Sequence, residues 1–154
     1  MKRPALIAAM NLVLLGRPAT AGEPAPAYVP PPADSVLVNF NPGWRLMKGS
    51  HPIEVDDSGW QCVSTPHTYH EDVAFQDWRS TRDLGPFTYR KRFVAPAEYR
   101  GRRLLLEFQG IRQRGQFCLN GQLLGRHSNG VTPFGFDLTP HVKFGAENIL
   151  HVEI

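Results

Sequence analysis

Residues 116–124 read Gln-Phe-Cys-Leu-Asn-Gly-Gln-Leu-Leu, with the dipeptide Asn120-Gly121 between two short apolar runs. Asparagine and glycine both tolerate positive φ angles, which a type I′ turn requires at its two central positions. The twist of that turn suits a pair of antiparallel strands. The stretch therefore predicts a two-residue β-hairpin.

Short strands are predicted on both sides of this hairpin. Leu104, Leu106 and Phe108 alternate with Leu105 and Glu107, which is the period of a half-buried strand. Strands are predicted at residues 36–40, 44–47, 60–64, 87–93, 103–108, 116–119, 122–124, 134–138 and 148–154. Gly and Pro turns separate them and no long helical pattern intervenes, so the sequence predicts an all-β sandwich of the jelly-roll type.

The amino terminus has the composition of a secretory signal peptide. Lys2 and Arg3 precede a short apolar run at residues 5–15, and Ala19-Thr20-Ala21 is a small-x-small cleavage site. The run is shorter than the roughly 20 residues that cross a bilayer. We therefore expect residues 1–21 to be removed on export to the periplasm or the exterior, leaving no membrane attachment.

The remaining chain predicts one domain behind a tail. Residues 22–34 are rich in proline, which favours an extended linker, and residues 35–154 form the predicted sandwich. Of the 17 Lys and Arg residues, three lie in the signal peptide, so the mature chain has 14 basic and 14 acidic residues. A formal net charge of zero gives no electrostatic argument for a nucleic-acid partner.

Two cysteines, Cys62 and Cys118, each lie inside a predicted strand. Export would permit a disulfide between them. Two buried free thiols explain the same positions equally well, and the sequence leaves both alternatives open. Their spacing fits no metal site.

Residues 66–84 show neither strand nor helix periodicity and are predicted to form a long loop. Loops beyond about 15 residues are often functional. His67, His70 and Glu71 stand in an order that matches neither zinc hydrolase motif, so a hydrogen-bonding role for the histidines is the simpler interpretation. No metal ion and no cofactor are predicted.

Aromatic and acidic side chains of the same loop offer two further interpretations. Tyr69, Phe75 and Trp78 have the surfaces that stack on sugar rings, or they anchor the loop to the sandwich. Asp72, Asp77 and Asp83 lack flanking apolar residues of the kind that suit a carboxyl group to acid catalysis. No catalytic residue is predicted in this chain.

A series of short motifs follows in order from about residue 44 to the end: Pro66-His67-Thr68-Tyr69, Tyr89-Arg90-Lys91-Arg92-Phe93, Leu106-Glu107-Phe108-Gln109-Gly110, Leu119-Asn120-Gly121, Gly130-Val131-Thr132-Pro133-Phe134 and Asp137-Leu138-Thr139. Together they resemble the amino-terminal sugar-binding domain of family 2 glycoside hydrolases, the β-galactosidase group. Pro86-Phe87-Thr88 departs from that family, where Gly-x-Gly-Trp-Tyr is usual.

The resemblance implies a galactose-binding-domain-like jelly roll that packs against further domains of a parent enzyme. One of those domains is a barrel with two catalytic glutamates, and residues 1–154 contain none of it. By resemblance, His67, Tyr69, Asp77 and Trp78 are the positions that border the substrate pocket.

The expected function is therefore that of a non-catalytic domain of an exported β-galactosidase-like hydrolase. Its expected partners are a carbohydrate, such as a β-galactoside, and the remaining domains of the parent enzyme. Two alternatives stay open: a free-standing carbohydrate-binding module that uses the loop aromatics, and a docking module without sugar contact.

Overall fold

The computed structural model describes residues 10–15, 35–68, 85–111, 114–130 and 132–154. Within these ranges the chain forms ten strands: β1 (Met10–Leu15), β2 (Val36–Asn39), β3 (Trp44–Lys48), β4 (Gln61–Val63), β5 (Phe87–Val94), β6 (Arg103–Phe108), β7 (Gly115–Leu119), β8 (Gln122–His127), β9 (Phe134–Asp137) and β10 (Glu147–Glu153). A short 3₁₀ turn spans Ala97–Tyr99. All nine strands predicted from the sequence are present, with ends that differ by a few residues.

The central hairpin has the predicted turn. Asn120 has a φ of 52° and Gly121 a φ of 84°, so both central residues are left-handed. Leu119 pairs with Gln122 directly beside the turn. Asn120 also accepts a hydrogen bond from the Ile149 amide (3.0 Å), which ties the turn to β10.

The strands form two antiparallel sheets. One sheet has the order β2-β1-β6-β9, and the other has the order β4-β3-β5-β10-β7-β8. In the larger sheet, β10 lies between β5 and β7 and pairs with both. Because β5 and β10 are internal strands, the side chains on them have neighbours on both sides within the sheet.

The core lies between the two sheets. Leu104, Leu106 and Phe108 of β6 are at most 1% exposed, as the alternation in the sequence predicts. Phe108 meets Phe117 of the other sheet with ring centroids 4.9 Å apart. The remaining buried residues of this core are Phe40, Trp44, Leu46, Val63, Tyr89, Ala95, Ile111, Leu119, Leu138, Leu150 and Val152. The predicted all-β sandwich is confirmed.

The apolar run of the predicted signal peptide contributes strand β1, which the sequence analysis did not predict. It lies between β2 and β6 and is antiparallel to both. A run such as Met-Asn-Leu-Val-Leu-Leu suits an internal strand as well as a signal peptide, because both need continuous apolar residues. Cleavage after residue 21 stays a prediction, and the proline-rich residues 22–34 lie outside the described residues.

The two cysteines are free thiols in this fold. Cys62 is exposed on β4, and Cys118 lies on β7 and is half-buried. Three strands separate β4 from β7, which puts these cysteines about 19 Å apart at the usual strand spacing. A disulfide needs Cα atoms within about 7 Å, so of the two alternatives the structure favours free thiols. The burial expected with that alternative is wrong for Cys62, which is exposed. Burial raises the pKa of the Cys118 thiol.

Candidate functional site around His67

Of the four residues predicted to border a sugar, the structure describes His67. Tyr69, Asp77 and Trp78 lie outside the described residues, as do the other acids and aromatics predicted in that loop. The described part of the candidate site therefore consists of His67 and the strands beneath it. Whether the four residues come together stays a prediction.

The segment that leads to His67 is held to the turn after β2. Thr65 donates its backbone N–H to the Asn41 carbonyl (2.9 Å) and its hydroxyl to the Asn41 side-chain oxygen (2.9 Å). The Thr65–Pro66 peptide bond is cis. Thr65 itself is buried. These contacts fix the direction in which the chain leaves β4 and therefore the position of His67.

His67 is anchored from below by Tyr89 of β5. Its Nδ1 atom lies 3.0 Å from the Tyr89 hydroxyl, and the two ring centroids are 5.9 Å apart. Tyr89 is 1% exposed and pairs with Leu46 on one side and Val152 on the other. A hydroxyl both donates and accepts, so this pair accommodates either tautomer of the imidazole. The half-buried imidazole is thus held in place at the edge of the core.

Lys91 lies two residues further along β5, and its side chain reaches the turn between β2 and β3. Its ammonium group donates to the Pro42 carbonyl and lies 5.0 Å from the centroid of the Phe40 ring. Burial lowers the pKa of Lys91. A lysine stem packed on an aromatic ring, with its head at a backbone carbonyl, stabilises the turn between β2 and β3.

The opposite side of β5 carries a buried arginine. Arg90 is fully buried, and its guanidinium donates hydrogen bonds to the carbonyls of Pro52 and Val55. It also stacks on Trp60, with 4.2 Å from Cζ to the ring centroid. Asp57 lies 3.8 Å away. Residues 52–60 are thus fastened over the outer face of the larger sheet. We call these contacts between Arg90 and residues 52–60 the Arg90 clamp.

Two further groups complete the Arg90 clamp. Arg92 donates to Asp57 at 3.2 Å and to Glu147 at 2.9 Å. Arg90 donates through Nε to Nδ1 of His151 (3.3 Å), which requires that nitrogen to be unprotonated. Burial, and then the positive charge of Arg90, lower the pKa of His151. The imidazole is therefore held neutral at physiological pH.

The sequence analysis named Tyr89 and Arg90 only as members of a family motif and predicted no role for either side chain. Their signal in the sequence is the alternation of 87–94, which puts Tyr89 and Lys91 on one face of a strand and Arg90 and Arg92 on the other. The partners of these residues lie up to 61 positions away. Local patterns do not identify such contacts.

Among the described residues, no group of three His, Cys, Asp or Glu side chains is placed to hold a metal ion. In the same part of the chain no helix has the length and apolar composition needed to cross a bilayer.

Known proteins that are similar to this chain in sequence and in fold show the family to which it is related. A β-glucuronidase of Formosa agariphila is 36% identical over an alignment of 138 residues, and the match covers 79% of this chain and 14% of the relative. A solved β-glucuronidase from glycoside hydrolase family 2 matches with a TM-score of 0.67 and 38% identity. The chain is homologous to family 2 glycoside hydrolases. A β-galactosidase of Thermoanaerobacter pseudethanolicus is 30% identical over an alignment of 132 residues, and the match covers 77% of this chain and 16% of the relative. No protein-family model matches the chain.

This homology confirms the family resemblance drawn from the motifs. The match to the solved glucuronidase covers 75% of this chain and 13% of that protein, so the chain spans about a seventh of the length of the relatives it matches. Relatives named for β-glucuronides and for β-galactosides both match. The predicted preference for β-galactosides therefore stays a prediction.

Proposed function

We propose that this chain is the amino-terminal, non-catalytic sandwich domain of an exported family 2 glycoside hydrolase. The observation that carries the proposal is the match to solved family 2 enzymes over 75% of this chain and 13% of theirs. Such a share corresponds to one domain of a larger enzyme. The parent enzyme hydrolyses the β-glycosidic bond of a β-galactoside or a β-glucuronide.

The domain contributes a rigid surface beside the sugar site and no reacting group. His67, held by Tyr89, is the described residue at that surface, and its imidazole is able to hydrogen-bond a sugar hydroxyl. Tyr69, Asp77 and Trp78 follow in the same loop and belong to the proposed surface. Export rests on the pattern of residues 1–21.

The test compares two proteins with chromogenic β-galactoside and β-glucuronide substrates. We expect the product of the whole gene to hydrolyse at least one of them and the chain of residues 1–154 to hydrolyse neither. Hydrolysis by residues 1–154 alone, or a whole gene product without glycosidase activity, would contradict the proposal.

The role of His67 is tested in the whole enzyme. His67→Ala is expected to raise KM about tenfold or more with a smaller effect on kcat, because a hydrogen bond to bound sugar is lost. His141→Ala, a half-buried histidine in the turn after β9, is the matched control. Equal KM values for both variants would remove His67 from the sugar site.

A further inference from the structure

Asparagine followed by glycine occurs at two places in the chain, Asn120-Gly121 and Asn129-Gly130. The backbone nitrogen of the residue that follows an asparagine is able to attack the carbon of the asparagine side-chain amide. Glycine favours this attack because it has no Cβ to shield its nitrogen or to restrict the backbone. Both places carry the same reacting groups, so a difference in their reactivity has to come from the fold.

The Asn120 side chain is held by residues that pack against the hairpin. Its Nδ2 atom donates to the His141 carbonyl (2.9 Å) and to Oδ1 of Asn148 (2.8 Å), and its Oδ1 atom accepts from the Ile149 amide (3.0 Å). Asn148 itself is completely buried. Both donor hydrogens of the Asn120 amide are therefore used, and the side chain has to break three hydrogen bonds before its carbon can turn toward Gly121.

Asn129 lies in a different environment. It is exposed in the connection from β8 to β9, which runs from the edge of the larger sheet to the edge of the smaller one. Its backbone carbonyl accepts a hydrogen bond from Nε2 of His127. Within the described residues, its side-chain amide has no hydrogen-bond partner. The Asn129 side chain is therefore free of the three contacts that hold Asn120.

We propose that Asn129 is a site of spontaneous deamidation in the folded protein, whereas the contacts of Asn120 with β10 and the turn before it keep Asn120 intact. Water takes the proton from the Gly130 amide, and the nitrogen attacks Cγ of Asn129 to close a five-membered succinimide. The bond from Cγ to Nδ2 breaks, and that nitrogen leaves as ammonia with the proton. Water then opens the ring at the side-chain carbonyl to give aspartate, or at the backbone carbonyl to give isoaspartate.

Both products alter the connection that holds His127. The new carboxyl group carries a negative charge, and isoaspartate also lengthens the main chain by a methylene group. The His127 ring stacks on Phe134 with centroids 3.7 Å apart, and Phe134 stacks on Phe108 of the core at 5.0 Å. A longer main chain moves the carbonyl that fixes His127. The modified chain should therefore unfold at a lower temperature than the unmodified chain.

The experiment follows both asparagines in the same sample. Residues 1–154 are incubated at mildly alkaline pH and then digested with trypsin, which cuts after Arg114, Arg126 and Lys143. The two sites fall on separate peptides, 115–126 and 127–143, each with a single asparagine. Mass spectrometry measures the mass gained when the amide becomes a carboxyl group.

We expect peptide 127–143 to be modified about tenfold faster or more than peptide 115–126, because three hydrogen bonds oppose the rotation of Asn120. In urea, where the chain is unfolded, the two rates should become similar. Equal rates in the folded chain, or an undiminished difference in urea, would overturn the proposal.

Two variants separate the two parts of the proposal. Asn148→Ala removes one acceptor of the Asn120 amide, so Asn120 should react faster in the folded chain while Asn129 is unchanged; an unchanged rate at Asn120 would contradict its protection by these contacts. If this variant does not fold, the comparison in urea still tests the protection. Asn129→Gln keeps an amide whose extra methylene disfavours the ring. Incubation should lower the Tm of the wild type and leave that of Asn129→Gln unchanged, and an equal loss in both would contradict the effect on His127.

Discussion

Replacing Arg90 with alanine is the most direct test of how residues 52–60 are held on the larger sheet. The side chain is fully buried, and it contacts two backbone carbonyls, Asp57 and the Trp60 ring. Burial lowers the pKa of Arg90, although the guanidinium stays charged at any physiological pH. The substitution therefore removes a charge whose partners, apart from His151 of β10, lie in one loop.

The size of the effect follows from those contacts. Two hydrogen bonds to the carbonyls of Pro52 and Val55 contribute about 1 kcal/mol each, and the stacked cation on Trp60 about 1 kcal/mol more. Asp57 keeps Arg92 as a partner at 3.2 Å, so it is not left as an unpaired buried charge. We expect Arg90→Ala to lower the free energy of unfolding by about 3 kcal/mol, at the lower end of the range for breaking a buried ion pair.

Thermal unfolding of residues 1–154, followed by circular dichroism, measures this difference. About 3 kcal/mol corresponds to a fall in Tm of roughly 10 °C for a domain of this size. The matched control is Arg103→Ala, which removes an ion pair of 3.2 Å with Asp137 whose side chains are 45% and 38% exposed. Solvent screens such a pair, so the control should lose about 0–1 kcal/mol.

Equal stability of the two alanine variants would refute this reasoning. If Arg90→Ala unfolds at the same temperature as Arg103→Ala, the clamp does not stabilise the sheet. Arg90→Lys adds a second check, because lysine keeps the charge and lacks the planar fork that reaches two carbonyls. It should fall between the wild type and Arg90→Ala.

Three further outcomes are expected. The pKa of His151 lies below its ordinary value of 6.5 in the folded chain. Its contribution to the free energy of unfolding is therefore complete above pH 6.5 and is lost as the pH falls toward the folded pKa. Urea unfolding at a series of pH values should show this loss of stability, and the same loss in His151→Gln would assign it to another group. Gly135→Ala should cost about 1–3 kcal/mol, because the added Cβ would lie 2.6 Å from the Leu106 carbonyl oxygen, whereas Gly59→Ala meets nothing within 4 Å and should be neutral in the same denaturation assay. A thiol reagent should modify exposed Cys62 before Cys118, whose pKa is raised; equal rates would contradict the burial of Cys118.

The elements predicted best were those with local signals. The positions of Asn120 and Gly121 and the alternation of Leu104, Leu106 and Phe108 each determine a backbone conformation within a few residues. The family motifs placed the fold correctly. The strand at Met10–Leu15 was missed, because an apolar run of six residues is compatible with a signal peptide and with an internal strand.

The candidate site was predicted less completely than the fold. The sequence singled out His67 but gave no reason to join it to Tyr89, which lies 22 positions away. The sequence placed Arg90 in a motif but did not predict that the Arg90 side chain is completely buried. A charged residue on a strand is normally expected at the surface, and only the loop that folds over it explains the exception.

The sequence by itself determined nine of the ten described strands, the hairpin turn and the family, because these depend on side-chain alternation, on φ preferences and on ordered motifs. Tertiary structure decided which strands are neighbours, and therefore that Cys62 and Cys118 lie far apart. It also decided that Arg90 fastens a loop and that residues 10–15 fill an internal place in a sheet. These outcomes depend on contacts between residues distant in the chain, for which short-range patterns carry no information.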